Sequence, residues 1–309
     1  MTAADGAGPP GPRGLADRRP SRLGGRVLAA WDAFIALAAA ADLDAPSRVA
    51  GWSGHDVCAH LGSWPERSAT GAVVAAARAG GAGGDDGERR TGGTDWVAGK
   101  RSASRDDVLA ALAAERAAVA RYFFSSGAAA EVGHRPVPSM LGQLPATTVV
   151  VAACYELAVH ALDLAPCGAP APPPELLREG LGALTDTTAA LAHRLGIEVA
   201  MSVQAPDGGW AMRASARGWQ TVERDPGPVG GAAVLGDAST LLNASAGRAS
   251  VPPLLAAGRI KVQGIGMLLR LAPVLEQVPG LPGGSALQVA ARAIGGMGWL
   301  AGRLPGGRR

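Results

Sequence analysis

The sequence predicts two joined architectures: an all-α four-helix bundle, then a smaller α+β domain carrying an antiparallel sheet. Three observations carry that expectation. Apolar residues recur at helical spacing through four segments that end before Pro166. CGAPAPPPE (167–175) is Pro-rich and reads as a stiff spacer. Beyond it, after one more helix, the pattern breaks into short runs punctuated by Gly and Pro, as strands of a meander are. The expected division is a disordered leader over 1–25, the bundle over 26–166, the linker over 167–175, the α+β domain over 176–278 and a Gly-rich basic tail over 279–309.

In order along the chain, RVLAAWDAFIALAAAADLD (26–44) is an amphipathic helix with Trp31, Phe34, Ile35 and Leu37 as candidate core. In WSGHD, Ser53 is an N-cap with Asp56 three residues on, a capping-box pattern. The helix it starts carries Val57, His60, Leu61 and Trp64, and Pro65 stops or kinks it. Residues 80–95 form a Gly-rich polar loop without a phosphate-binding fingerprint. Ser104 starts a third helix (104–124), and the fourth spans 145–164. In the second half, 176–196 is a helix. IEVAMSVQ, GWAMRAS, GWQTVER and GAAVLG are strands, and the first two are joined by a hairpin turn at DGG. A helix capped by Asp237, a strand at RIKVQG and a last helix over 265–278 complete the domain.

Composition narrows the function. Hydrophobic residues make up 48% of 309, enough for sizeable cores, and the net charge of +3 is scattered. No basic block is interleaved with aromatics, which argues against nucleic-acid binding. Three cysteines (Cys58, Cys154, Cys167) make no disulfide framework and suit a reducing cytoplasm. The N-terminus lacks an apolar signal region, and no uncharged apolar stretch of 18 residues exists, so no transmembrane segment is expected.

The informative stretch is CYELAVHALDLAP (154–166), where an apolar helix carries three ionisable groups. Glu156 and His160 are one turn apart and share a face, with Asp163 on the same stripe. A buried carboxylate must be neutralised, paired or metal-bound. Helical bundles build metal sites from facing helices, and His60 is the third ligand such a bundle can offer. Two imidazoles and a carboxylate suit Zn²⁺ and leave one coordination position open. The alternative is that Glu156 pairs with an arginine and both histidines are satisfied core residues. Cys58 and Cys154 lie about 200° around their helices from the ligand positions, and read as small buried hydrophobes. His55, in a first helical turn, is expected to be exposed, His134 lies in a loop, and His193 is near a helix C-terminus. Cationic partners for an anionic substrate or a thiol are sought among Arg213, Arg217, Arg224 and Arg248.

AGWSGHDVCAHLG (50–62) and, about a hundred residues on, YELAVHALDLA (155–165) resemble the mycothiol-dependent maleylpyruvate isomerase family. The resemblance implies a DinB-like bundle in which His60, Glu156 and His160 hold a divalent metal, usually zinc. It gives Asp163 a supporting role behind the ligands. It also implies mycothiol, a low-molecular-weight thiol of actinobacteria, as cosubstrate. The small electrophilic substrate, such as maleylpyruvate, would be isomerised or conjugated. The stretch GDASTLLNASAGRASVPPLLAAGRIKVQGIGMLLRLAPVL (236–275) resembles a sterol carrier protein domain. Two other readings follow from these halves: a non-catalytic carrier of an apolar ligand, and a hydrolase that activates metal-bound water. Catalytic residues beyond the ligands, and any oligomeric state, are not indicated.

Overall fold

The structure, a computed structural model, describes residues 11–81, 96–125 and 127–276. The first half is helical. Helix α1 spans Pro20–Ala40 and opens on a proline, whose missing N–H removes one of the first-turn donors that would lack a helical partner. Then come α2 (Gly54–Leu61), α3 (Ala69–Arg78) and α4 (Arg105–Ala120), the last extended by a wider turn at Arg121–Ser125. A short α5 (Ala128–Val132) and a hairpin of β1 (Pro136–Ser139) and β2 (Gly142–Pro145) lead into α6 (Ala146–Asp163).

Helix α7 (Pro174–Arg194) carries the chain into a sheet of β3 (Val199–Ala205), β4 (Gly208–Ser215) and β5 (Gly218–Arg224), followed by β6 (Ala233–Gly236). Helices α8 (Ala238–Ser245) and α9 (Val251–Ala256) precede β7 (Ile260–Gln263). Two single turns, α10 (Ile265–Leu269) and α11 (Ala272–Glu276), end the described chain.

The expected helices and strands are present, with these differences. Helix α1 begins six residues before the expected start, and α3, α5, α9 and the β1–β2 hairpin were not expected. The single helix expected over 265–278 is broken between Leu269 and Ala272. Asp237 precedes α8 without a side-chain cap bond. Expectations for 1–10, most of the Gly-rich loop (82–95) and the tail (279–309) lie outside the described residues.

The two halves share one core. Trp31 and Phe34 of α1, Leu112 of α4, Leu157 of α6, Leu181 of α7, Trp210 of β4 and Leu242 of α8 all belong to one buried cluster. Each such fully buried side chain contributes about 1.5–3 kcal/mol of transfer free energy. Gly180 makes the α6–α7 contact possible, because a Cβ there would sit 2.4 Å from that of Ala158. The Pro-rich stretch therefore turns the chain, with Pro174 in the first turn of α7, and the segments on either side pack against each other. Helices α1 and α6 are long and apolar enough to cross a membrane, yet 44% and 67% of their apolar windows are buried inside the protein.

The sheet order is β5-β4-β3-β6-β7. The first three strands form the expected antiparallel meander. Strand β6 leaves it and pairs in parallel with the far edge of β3, and β7 pairs antiparallel with β6. The outer edge of β5 is already taken. Trp219 N–H donates to the Pro12 carbonyl at 2.9 Å, and Arg13 bridges Trp219 in parallel.

Residues 11–25, expected to be part of a disordered leader, are thus a docked strap running into α1. The strap is held by Asp186, almost fully buried in α7. Its Oδ1 accepts from Leu15 N–H (2.9 Å), the Trp219 indole N–H (3.0 Å) and the Thr221 hydroxyl (2.6 Å). Burial pushes this carboxyl up to about 6, opposed by those donors. Gly14 has φ +62°, and a Cβ there would lie 2.0 Å from Asp186 Oδ1. A Gly14→Val variant is therefore expected to release the strap. The loss should be about 2 kcal/mol, read as a lower urea midpoint together with new protease cleavage before α1.

Candidate metal centre

Two local devices aim the site's side chains. In α2 the capping box expected at Ser53 is formed: its hydroxyl accepts from Asp56 N–H at 3.3 Å, and Asp56 Oδ2 accepts from Ser53 N–H at 3.1 Å. Arg101 holds the same carboxylate at 3.0 Å, so the start of the helix is pinned and His60 is carried in its last turn. In α6 the helical repeat sets Glu156 and His160 on one face.

Between these helices His60, Glu156 and His160 each present one ligand atom, all within 4.8 Å of one another. His160 Nε2 lies 3.5 Å from Glu156 Oε2. The two imidazole rings meet edge-on at 5.5 Å, and Trp52 flanks His60 at 5.4 Å. Glu156 keeps 44% of its side chain exposed, so solvent reaches the cluster from its side.

Behind the cluster, His160 Nδ1–H donates to Asp163 Oδ2 at 2.9 Å. Asp163 has no exposed surface, and its charge is met by Arg248, which donates from Nε to Oδ1 (3.0 Å) and from Nη2 to Oδ2 (3.1 Å). This holds a proton on Nδ1, so that Nε2, on the side of Glu156 and His60, is the nitrogen whose proton a metal would displace.

The electrostatics separate the two histidines. Burial lowers His60, as do the neighbouring His160 and Arg67 charges. Together they outweigh Glu156 and hold it down to about 4, a neutral ligand at any working pH. Burial also disfavours the His160 cation, but Asp163 and Glu156 overcome it and raise that group to about 9. Asp163 is held below its ordinary value: burial would raise it, and the bonds from His160 and Arg248 prevail. Burial likewise opposes ionisation of Glu156, and His160 brings it down.

The residues fit a divalent cation on one further observation. His60 Nδ1 is buried and bonded to nothing, whereas a satisfied core histidine would have found a partner. The donor set of two imidazoles and one carboxylate matches zinc sites that keep an open position.

Other candidates fall elsewhere. Arg248 reaches the site, but two of its nitrogens go to Asp163 and a third to the Ala246 carbonyl. Arg213, Arg217 and Arg224 are exposed on β4, the β4–β5 turn and β5. His55, expected to be exposed, is buried with Nε2 2.9 Å from the Ala103 carbonyl, because the segment before α4 covers that face of α2. His134 faces Asp17, and His193 Nδ1 faces the Ser215 carbonyl. All three cysteines are free and buried, and burial pushes the Cys58 thiol up to about 12, unsuited to act as a thiolate ligand. A cavity of about 390 Å³ lies apart from the cluster, against Asp42, His55, Asp56 and Arg101. Sequence reading missed Trp52 and Arg67 beside His60. Both lie in loops, and no spacing rule brings them there.

Residues 25–165 match the model of a family described as the mycothiol maleylpyruvate isomerase N-terminal domain. No curated protein sequence matches the chain. Among solved structures, the chain is similar to a mycothiol-dependent maleylpyruvate isomerase, with 15% identity, TM-score 0.48, and coverage of 77% of this chain and 93% of that one. An alanine variant of such an isomerase gives 14% identity, TM-score 0.49 and coverage of 81% and 95%. A stereoselective inverting sec-alkylsulfatase from Pseudomonas sp. gives 16% identity, TM-score 0.24 and coverage of 65% and 29%. At such scores the structural likenesses decide nothing about chemistry.

Proposed function

Residues 25–165 belong to the mycothiol maleylpyruvate isomerase N-terminal domain family, and from that membership we propose that the chain is a metal-dependent enzyme that uses mycothiol on a small electrophilic substrate such as maleylpyruvate. The carrying observation is the convergence of His60, Glu156 and His160 within 4.8 Å at a solvent-reached spot. On this reading the helical half is a DinB-like four-helix bundle and the sheet half a sterol-carrier-like domain. The protein is soluble and cytoplasmic, and its apolar helices serve its own core.

His60, Glu156 and His160 would hold the metal, with zinc the cation this donor set suits best. Bound there, zinc would supply a Lewis acid that lowers the pKa of a coordinated thiol, making a thiolate at neutral pH. The protein's own residues prepare that site. His60 is kept neutral, Asp163 holds the proton of His160 on Nδ1, and Arg248 keeps Asp163 ionised. A thiol activated there could add across an electrophilic double bond, its sulfur to one carbon and a proton to the other; loss of the same thiol would complete an isomerisation, and its retention a conjugation.

A carrier of an apolar ligand has no need to draw two imidazoles and a carboxylate together, which favours the enzyme. A metal-dependent hydrolase would share the cluster, and thiol dependence separates the two. The test is cobalt-substituted protein titrated with mycothiol. A thiolate-to-cobalt charge-transfer band should grow with thiol, and full cobalt loading with no band would sink the thiol reading.

Metal loading also has a proton signature. Metal-free His160 holds its proton up to about 9. Zinc binding at pH 7.5 should therefore release about one proton. Calorimetry in two buffers of different ionisation enthalpy reads that release, and a buffer-independent heat would contradict it.

A further inference from the structure

The turn after α2 and the segment 96–101 build an aromatic and cationic wall beside His60. Trp64 and Arg67 exchange backbone hydrogen bonds at 2.7 and 2.9 Å, closing a tight loop. The Trp64 indole N–H donates at 3.1 Å to the carbonyl of Ala59, the residue before His60, which anchors the wall to the ligand helix. Lys100 Nζ lies 4.7 Å from the ring centroids of both Trp64 and Trp96, and Lys100 is paired with Glu66. Arg67 rests its guanidinium 5.0 Å from the Trp96 centroid.

Arg248 approaches the cluster from behind α6, through Asp163, and Arg67 lies in the closed loop directly after α2, which Trp64 anchors at Ala59. They differ in what they hold. Arg248 is committed to Asp163. Arg67 is exposed and, among the described residues, forms no ion pair. A guanidinium stacked on an indole keeps its forked N–H edge free, and the stacking limits the freedom it would lose on engaging a carboxylate.

We propose that Arg67, stacked on Trp96, receives a carboxylate of the substrate whose reacting end lies at the His60–Glu156–His160 cluster, and so selects anionic over neutral substrates. The proposal rests on the metal-centre reading. It assigns the anion-recognition role to the loop after α2, not to the arginines of the sheet.

The experiment compares zinc-loaded wild type, Arg67→Met and Arg67→Lys by calorimetry with two probes, maleate as a simple dicarboxylate and 2-mercaptoethanol as a neutral thiol. Arg67→Met should weaken maleate binding about 10- to 100-fold, the range for a lost hydrogen bond to a charged group. Its zinc content and mercaptoethanol affinity should match wild type, and Arg67→Lys should recover part of the maleate affinity. Three results would overturn the proposal: unchanged maleate binding in Arg67→Met, no measurable maleate binding by wild type, or an equal loss for maleate and thiol. If the wild type takes up no zinc, the metal reading fails by itself, and the same maleate comparison on metal-free protein decides Arg67.

Discussion

Changing His60 to alanine is expected to leave the purified protein without stoichiometric zinc. It removes one of three donors from a set converging within 4.8 Å, so the affinity loss should exceed the ~100-fold that changes behind a metal's ligands reach. Glu156→Gln should lose metal to a similar degree, because the amide keeps the shape but removes the anionic oxygen nearest His160 Nε2. Folding should survive both changes. His60 sits in the last turn of an eight-residue helix whose cap and Arg101 brace are untouched, and its Nδ1 bonds to nothing that would be orphaned. The measurement is elemental analysis after zinc reconstitution, paired with a urea midpoint. Wild type with about one zinc per chain, and both variants with none at near-native stability, is the expected outcome. A wild type that binds no zinc would remove the enzymatic reading and leave the apolar-ligand carrier.

Arg248→Ala should act in two places at once. Asp163 is fully buried and is served by His160 on one side and Arg248 on the other. Removing the arginine leaves a buried carboxylate with half its compensation, which costs about 3 kcal/mol. Arg248 is itself 29% exposed, so water recovers part of that loss. The second effect is on the metal. Without Arg248, Asp163 protonates more readily and no longer fixes the Nδ1–H tautomer of His160, so zinc affinity should fall 10- to 100-fold. Arg248→Lys keeps the charge without the forked geometry and should recover stability better than affinity.

The pH dependence gives an independent check on this pair. The folded pKa of Asp163 is depressed, so its contribution is present above the ordinary carboxylate range and is lost as pH falls through the folded value. Wild-type stability should therefore fall steeply only in acid, whereas in Arg248→Ala the fall should begin at higher pH. Coincident acid profiles for the two proteins would show that Arg248 does not hold the Asp163 charge.

Much of the fold was legible because it depends on local physics. Ser53 with Asp56, and Ser104 with Asp107, form the capping boxes their spacing announces. The alternation of GWAMRAS and GWQTVER marks two strands that pair from Gly209↔Arg224 to Ser215↔Gly218. What was missed is non-local. Strand β6 joins the free edge of β3 while the strap lies on the edge of β5, and a glycine at position 14 lets the strap lie against Asp186. Neither partner of that contact is near the other in sequence.

The candidate site divides in the same way. That Glu156, His160 and Asp163 share a face follows from the α-helical repeat and needs no tertiary information. That His60 meets them, that Arg248 closes the buried charge of Asp163, and that Arg67 lies over Trp96 with no ion pair among the described residues were decided only when the chain folded. Those side chains are brought together by packing of α2 and of the loop after α8 onto α6, and no periodicity in the sequence encodes a distance across that packing.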